Sequence, residues 1–170
     1  MVPPQWLIRH ILLAFLLASC ASGKVVDSFY LDQAKGFKVP FLQEPWRRIA
    51  VPDVELAFRD EETEAVIALF SSCGSEGRAP LNVLAKRLFF GIKERKLLER
   101  RPLSLNGAEA IHTILQGKLK EEEVKVSSYV VKRDECVYDL VYMAPPDRFE
   151  AKLLDFESFV KGWELSRRER

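Results

Sequence analysis

The sequence predicts a single α+β domain, in which about seven antiparallel strands form a sandwich with two helices. Two observations support this fold class. Stretches of strand-forming residues, several with apolar and polar residues alternating, are joined by short turn signals, which is the pattern of β-hairpins and therefore of an antiparallel sheet. Residues 81–92 and 149–163 instead carry apolar residues at spacings of three and four, as amphipathic helices do.

The first half of the chain predicts two hairpins. Residues 28–34 and 37–40 are expected to be short strands around a tight turn. Residues 54–58 alternate and residues 65–70 form a more continuous apolar run, so these two stretches are expected to pair. The acidic cluster Asp60-Glu61-Glu62 between them is predicted to be a solvated turn, because it lacks the ligand spacing of a calcium-binding loop.

The second half contains the clearest hairpin signals. Asn106-Gly107 predicts a tight turn between residues 96–105 and 108–119. The composition of residues 108–119 would also suit a helix, but the turn reverses the chain and the apolar residues alternate, so a strand is predicted. Residues 124–130 and 136–143 are rich in β-branched and aromatic residues and are expected to form the next hairpin.

Two helices are predicted to cover the sheet. Pro80 is suited to open the mid-chain helix over residues 81–92, and Gly91 is suited to end it. After Pro145-Pro146, Asp147 is expected to cap the C-terminal helix. The apolar stripe of that helix consists of Phe149, Leu153, Phe156, Val160 and Trp163.

An aromatic stripe of this kind usually packs into a core. The alternative is that Phe149, Phe156 and Trp163 line a pocket, in which a small apolar ligand would lie between the sheet and the C-terminal helix.

Residues 1–19 have the three regions of a secretory signal peptide: Arg9 near the start, the apolar run 11–18, and small residues at its end. The run is too short to span a bilayer, which takes about 20 residues. Leu17-Ala18-Ser19-Cys20 resembles the lipobox of bacterial lipoproteins, which implies that Cys20 becomes the first residue and carries a diacylglyceryl thioether and an acylated amine. The alternative is an ordinary secreted protein in which Cys20 has no special role.

The lipobox resemblance implies an extracytoplasmic protein that acyl chains such as palmitate hold on the cell membrane through Cys20, without spanning it. Ala21 stands where the enterobacterial pattern has Asp for inner-membrane retention, which weakly favours the outer membrane and a periplasmic domain. The expected organisation is a signal peptide (1–19), a lipidated cysteine with its tether (20–27), one folded domain (28–165) and a basic tail (166–170).

The charge balance argues against nucleic acid as a partner. Removing residues 1–19 from 170 leaves 151 residues, enough for one domain with its own core. This removal takes away Arg9, so 25 of the 26 Lys and Arg residues remain against 25 Asp and Glu. The chain therefore lacks the excess of positive charge that is typical of nucleic-acid-binding domains.

Two cysteines remain if Cys20 is acylated, and both could form a disulfide in an extracytoplasmic compartment. A bond between Cys73 and Cys136 would contribute on the order of 4 kcal/mol in the chain-entropy model. The sequence leaves this open and slightly favours two separate buried thiols.

Two sequence motifs resemble those of proteins with the PsbP-like fold. They are Val137-Tyr-Asp-Leu-Val-Tyr-Met-Ala-Pro-Pro-Asp-Arg-Phe149 with the aromatic helix that follows, and Gly36-Phe-Lys-Val-Pro40 with Trp46. The resemblance covers residues 28–163 and implies a curved antiparallel sheet flanked by helices, as in the PsbP subunit of photosystem II, Mog-type Ran-binding proteins and several bacterial lipoproteins. Its motifs are packing motifs, so it implies a binding or assembly module rather than an enzyme, and no functional residue is carried over.

Motifs for catalysis or cofactor binding are not found. Without the signal peptide His112 is the single histidine, so a serine or cysteine site would need it, and no Gly-x-Ser-x-Gly elbow is present. The spacings for zinc are missing, and Gly74-Ser-Glu-Gly77 is too short for a phosphate-binding loop. The basic segments 93–96 and 100–101 could contact lipid head groups or an acidic partner, although a solvated surface is favoured.

We therefore expect a lipid-anchored interaction or assembly module of the cell envelope, with no catalysis, no cofactor and an unidentified envelope protein as partner. The alternative is a lipoprotein that carries a small apolar ligand.

Overall fold

The computed structural model describes residues 23–166, and within that range the chain forms eleven strands, two α-helices and two short 3₁₀ helices. The strands are Gly23–Val26 (β1), Phe29–Asp32 (β2), Phe37–Pro40 (β3), Arg47–Ile49 (β4), Leu56–Arg59 (β5), Val66–Cys73 (β6), Lys93–Leu105 (β7), Ala108–Leu119 (β8), Glu122–Arg133 (β9), Cys136–Ala144 (β10) and Glu164–Leu165 (β11). The α-helices are Leu81–Arg87 (α1) and Leu153–Lys161 (α2), and the 3₁₀ helices are Ser75–Arg78 and Phe149–Ala151.

The strands form two antiparallel sheets. The larger has the order β4-β5-β6-β10-β9-β8-β7, and the smaller has the order β1-β2-β3-β11. The α+β class and the antiparallel sheet of seven strands with two helices are therefore confirmed.

The predicted hairpins are present, and the backbone geometry of their turns explains why the chain reverses there. Asn106 and Gly107 both have positive φ, at 51° and 79°, as a type I′ turn requires. This turn pairs β7 with β8, so the strand prediction for residues 108–119 is confirmed despite their helix-compatible composition. Lys120 and Glu121 also have positive φ, at 49° and 72°, and make the next tight turn.

The two faces of the larger sheet differ, because successive side chains of a strand point to opposite faces. Tyr138, Leu140 and Tyr142 of β10 point to one face, here called the α2 side, where α2 and the smaller sheet close the main core. The residues between and beside them point to the opposite face, here called the α1 side, where α1 and the turn at residues 88–92 pack.

Several local expectations are corrected. Gly23–Val26 pairs with β2, so part of the segment expected to be a tether is folded. Helix α1 ends at Arg87 and a turn covers residues 88–91. Helix α2 begins at Leu153, and Phe149–Ala151 forms a 3₁₀ turn before it, so Asp147 does not cap it.

Asp60 also differs from the expected solvated turn, because its side chain is fully buried. Burial acts to raise the pKa of Asp60, but the hydrogen bonds that Thr63 donates and the ammonium of Lys152, 3.4 Å away, together hold the pKa below its ordinary value. Through its ion pair with Lys152, Asp60 thus links the turn between β5 and β6 to the segment that precedes α2.

No helix within residues 23–166 is long and apolar enough to cross a membrane. The core clusters and the disulfide described below lie inside the same range.

Candidate functional site

A partly open apolar cavity of about 350 Å³ lies on the α1 side of the larger sheet. Ala57 and Ala68 line it from β5 and β6, and Val141 and Met143 line it from β10. Phe89 and the other apolar residues of the turn at residues 88–92 lie across from them. All the residues that line this cavity, called the α1-side cavity below, are apolar or glycine, so it can take up an uncharged apolar group.

The register of the sheet explains why space remains there. Ala57 is paired with Ala68, and Ala68 is paired with Val141. This cross-strand row continues through Ser128 to Thr113, so five strands contribute a small or short side chain at the same level of the sheet. A row of small residues leaves a trough that the single turn at residues 88–92 does not fill.

The turn at residues 88–92 is held by backbone hydrogen bonds. The Phe90 N–H donates to the Arg87 carbonyl at 3.0 Å, and the Ile92 N–H donates to the Phe89 carbonyl at 3.0 Å. Gly117 supports the end of this turn: a Cβ there would lie 2.6 Å from the Lys93 carbonyl oxygen, so β8 approaches the chain more closely than any side chain allows.

The three aromatic residues proposed for a pocket lie on the other side of the sheet. Phe149, Phe156 and Trp163 are each at most 1 % exposed and belong to the main core. The Trp163 ring lies 5.3 Å from that of Tyr138, and the Phe156 ring lies 5.6 Å from that of Tyr142. These side chains therefore fill the space beneath α2, and the apolar cavity lies on the opposite face.

Cys73 and Cys136 form a disulfide in the structure, which is the alternative that the sequence slightly disfavoured. The two residues are paired in register on β6 and β10, with 4.1 Å between their Cα atoms. The bond therefore links two central strands at one end of the sheet. Cys20 lies outside the described residues.

His112 is buried on the α2 side, where its Nε2 lies 3.0 Å from the Ser127 hydroxyl and its ring stacks on Tyr129 at 4.3 Å. Its Nδ1 lies 3.6 Å from a carboxylate oxygen of Glu99. Burial lowers the pKa of His112, although the Glu99 carboxylate opposes that effect. The order of carboxylate, imidazole and hydroxyl matches that of a hydrolase site, but Ser127 is 1 % exposed, so its hydroxyl lies inside the fold.

A second, polar cavity of about 640 Å³ is lined by Asp139 together with Asp53, Glu55, Glu76 and Lys35. Lys35 pairs with Glu55, so part of its charge is neutralised locally. Oδ1 of Asp139 is buried without a hydrogen-bond partner among residues 23–166, and burial raises the pKa of this carboxyl to about 7. Sequence reasoning missed Asp139; the signal was a carboxylate in the middle of an otherwise apolar strand.

Groups of three or more side chains that could hold a metal ion are not found within the described residues.

The architecture matches solved structures across most of the chain. The solution structure of the cyanobacterial PsbP protein (CyanoP) from Synechocystis sp. PCC 6803 aligns with a TM-score of 0.61 and 13 % identity, over 85 % of this chain and 93 % of that one. The fold is PsbP-like. LpqN of Mycobacterium tuberculosis aligns with a TM-score of 0.60 and 14 % identity, over 77 % of this chain and 83 % of LpqN.

A protein of unknown function from Pseudomonas aeruginosa aligns with a TM-score of 0.51 and 14 % identity, over 87 % of this chain and 97 % of that one. No protein-family model and no curated protein matches the sequence. At these identities the likeness shows the fold alone.

Proposed function

We propose that this protein is a lipid-anchored, extracytoplasmic binding module of the bacterial cell envelope. Three observations support the location: the apolar run within residues 1–19, the lipobox-like Leu17-Ala18-Ser19-Cys20, and a structural neighbour, LpqN, that is described as involved in cell envelope biogenesis. The proposed anchor is a set of acyl chains on Cys20, which hold a domain at a bilayer without a spanning helix.

The α1-side cavity is the observation that carries the proposed activity, which is binding of a small apolar ligand. Its volume lies at the lower end of the range for small-molecule sites, and its lining offers neither charge nor a polar side chain. The cavity supports a ligand carrier over a pure assembly module, and the proposed position of the ligand is between the sheet and the turn at residues 88–92. The site proposed beneath α2 is already filled.

We further propose that the domain binds without catalysing a reaction. Glu99, His112 and Ser127 form the arrangement that most resembles a catalytic site. Ser127 is buried, and the Tyr129 ring stacks on the His112 ring. The His112 ring and the Ser127 hydroxyl lie within hydrogen-bond distance of each other inside the fold, as members of a structural polar cluster do.

Native and denaturing mass spectrometry of residues 21–170, exported from a bacterial host, tests the ligand. We expect extra mass under native conditions that disappears on denaturation. Ala68→Phe should abolish it, because the added ring fills the trough between β5, β6 and β10. Ala151→Phe is the matched control, since the same change is made at an exposed position of the 3₁₀ turn before α2.

A bare monomer that also fails to take up a neutral apolar fluorophore would refute the carrier proposal. A protein crosslinked to the domain in intact envelopes would then favour the assembly module. The anchor is tested separately: the full chain should incorporate a palmitate analogue, the Cys20→Ser variant should not, and equal labelling of both would refute acylation at Cys20.

A further inference from the structure

Phe90 is 93 % exposed, which is unusual for an aromatic side chain next to a packed core. It forms a shallow surface depression with Val83, Lys86, Arg87 and Arg95. These five residues, called the Phe90 patch below, come from α1, the turn that follows it and the start of β7.

The exposure of Phe90 results from a defined turn. The preceding residue, Phe89, is 4 % exposed and packs into the core on the α1 side. The Phe90 N–H is bonded to the Arg87 carbonyl, and the Arg95 guanidinium donates to the Phe89 carbonyl at 3.4 Å. Because Phe89 is fixed inward, Phe90 is presented outward.

The patch is positively charged, although the whole chain is nearly neutral. Three of its five residues are cations and none is a carboxylate. The nearest acidic residue along the chain, Glu94, forms an ion pair with Lys118 at 2.9 Å. Lys86 and Arg87 form no ion pair with any residue in the range 23–166, so their charges face outward uncompensated.

We propose that the Phe90 patch docks on an anionic lipid bilayer. The Phe90 ring enters the boundary between head groups and acyl chains, while Lys86, Arg87 and Arg95 contact lipid phosphates. An exposed aromatic ring within a group of cations suits this surface, because a bilayer supplies apolar and anionic contacts without requiring a matched shape. A stable protein interface uses about 20 to 30 residues a side, far more than this patch offers.

Docking in this orientation has a consequence that rests on the proposed function. The turn at residues 88–92 carries Phe90 on its outer side and lines the α1-side cavity with its inner side. Membrane docking would therefore bring the cavity next to lipid, from which an apolar ligand or acyl chain could enter.

Vesicle co-sedimentation of residues 21–170, which lack the anchoring Cys20, tests the docking surface. We expect binding to vesicles of phosphatidylglycerol mixed with phosphatidylcholine, weaker binding at high salt, and little binding to phosphatidylcholine alone. Lys86→Gln and Arg87→Gln should each weaken binding about fivefold, and Phe90→Ala about tenfold. Leu154→Ala is the matched control: this leucine is 74 % exposed on α2, and its loss should leave binding unchanged.

A second readout does not depend on the stability of the alanine variant. Trp fluorescence of Phe90→Trp should shift to the blue when anionic vesicles are added, whereas that of Leu154→Trp should not. The native Trp46 and Trp163 are buried and supply a constant background.

Absence of vesicle binding, or equal losses in Phe90→Ala and Leu154→Ala, would overturn the proposal. Failure to bind vesicles combined with crosslinking of an acidic protein at position 90 would assign the patch to a protein partner instead. Ala68→Phe should still bind vesicles, so a failed ligand proposal and a failed docking proposal give different results.

Discussion

Asp139→Asn should stabilise the protein at neutral and alkaline pH and have little effect in acid. The carboxyl lies on β10, and its Oδ1 is buried without a hydrogen-bond partner among the described residues. Burial raises the pKa of Asp139 from 3.8 to about 7, so the folded state holds this proton more tightly than the unfolded state does. The carboxylate therefore destabilises the fold progressively as pH rises from about 4 to about 7, and the full cost is present above that window.

The magnitude follows from the same two pKa values. One pKa unit corresponds to 1.36 kcal/mol, so the difference between 3.8 and about 7 corresponds to about 4 kcal/mol. The Asn amide also has polar atoms that are buried without hydrogen bonds, which destabilises the fold by about 1 to 3 kcal/mol. A protonated Asp139 carboxyl has a similar cost, so this contribution largely cancels between the two proteins. We expect the variant to be more stable by about 4 kcal/mol near pH 8 and by less than about 1 kcal/mol near pH 4.

Urea denaturation of both proteins across this pH range measures the difference. Asp53→Asn is the matched control, because Asp53 is an exposed carboxylate at the rim of the same polar cavity. A stability difference for Asp139→Asn that does not change with pH would refute the argument, as would a difference that shrinks as pH rises.

Three further perturbations test the fold. Replacing both Cys73 and Cys136 by Ala should lower the free energy of unfolding by on the order of 4 kcal/mol, and a reductant should then no longer affect the melting temperature. Asp60→Ala should destabilise by about 3 kcal/mol at neutral pH in urea denaturation; the wild-type advantage should fade as acid protonates Asp60, because its pKa is lowered in the folded state. Gly117→Ala should cost about 2 kcal/mol, since its Cβ would meet the Lys93 carbonyl oxygen; an unchanged melting temperature would contradict the close approach.

Features that depend on neighbouring residues were predictable from the sequence. Asn106-Gly107 determines its own turn geometry, and that turn identified a strand whose composition suited a helix. The apolar stripe of the C-terminal helix marked a buried face, because helical periodicity is visible along the chain. The short strands β4 and β11, with three and two residues, carry too little pattern to be recognised.

The α1-side cavity was not predictable, because it arises from strand register. Ala57 and Ala68 are far from Val141 in sequence, and each looks like an ordinary strand residue. They form a trough only because β5, β6 and β10 pair at that level. The same holds for the disulfide, since the register that brings Cys73 opposite Cys136 cannot be read from their spacing.

The difference between the two sides of the sheet explains why the candidate site lies on the α1 side. Strand β10 sends two tyrosines and a leucine to the α2 side, where α2 and the smaller sheet meet them with further aromatic side chains. Toward the α1 side it sends two valines, Met143 and Asp139, and the seven residues of α1 cover only part of them. Large side chains that meet large side chains fill the space between the layers and form a core. Smaller side chains beneath a short helix leave some of that space empty. Helix α2, whose aromatic stripe is clear in the sequence, therefore stabilises the domain. The turn at residues 88–92, which has no such pattern, lines the cavity and carries the exposed Phe90 ring.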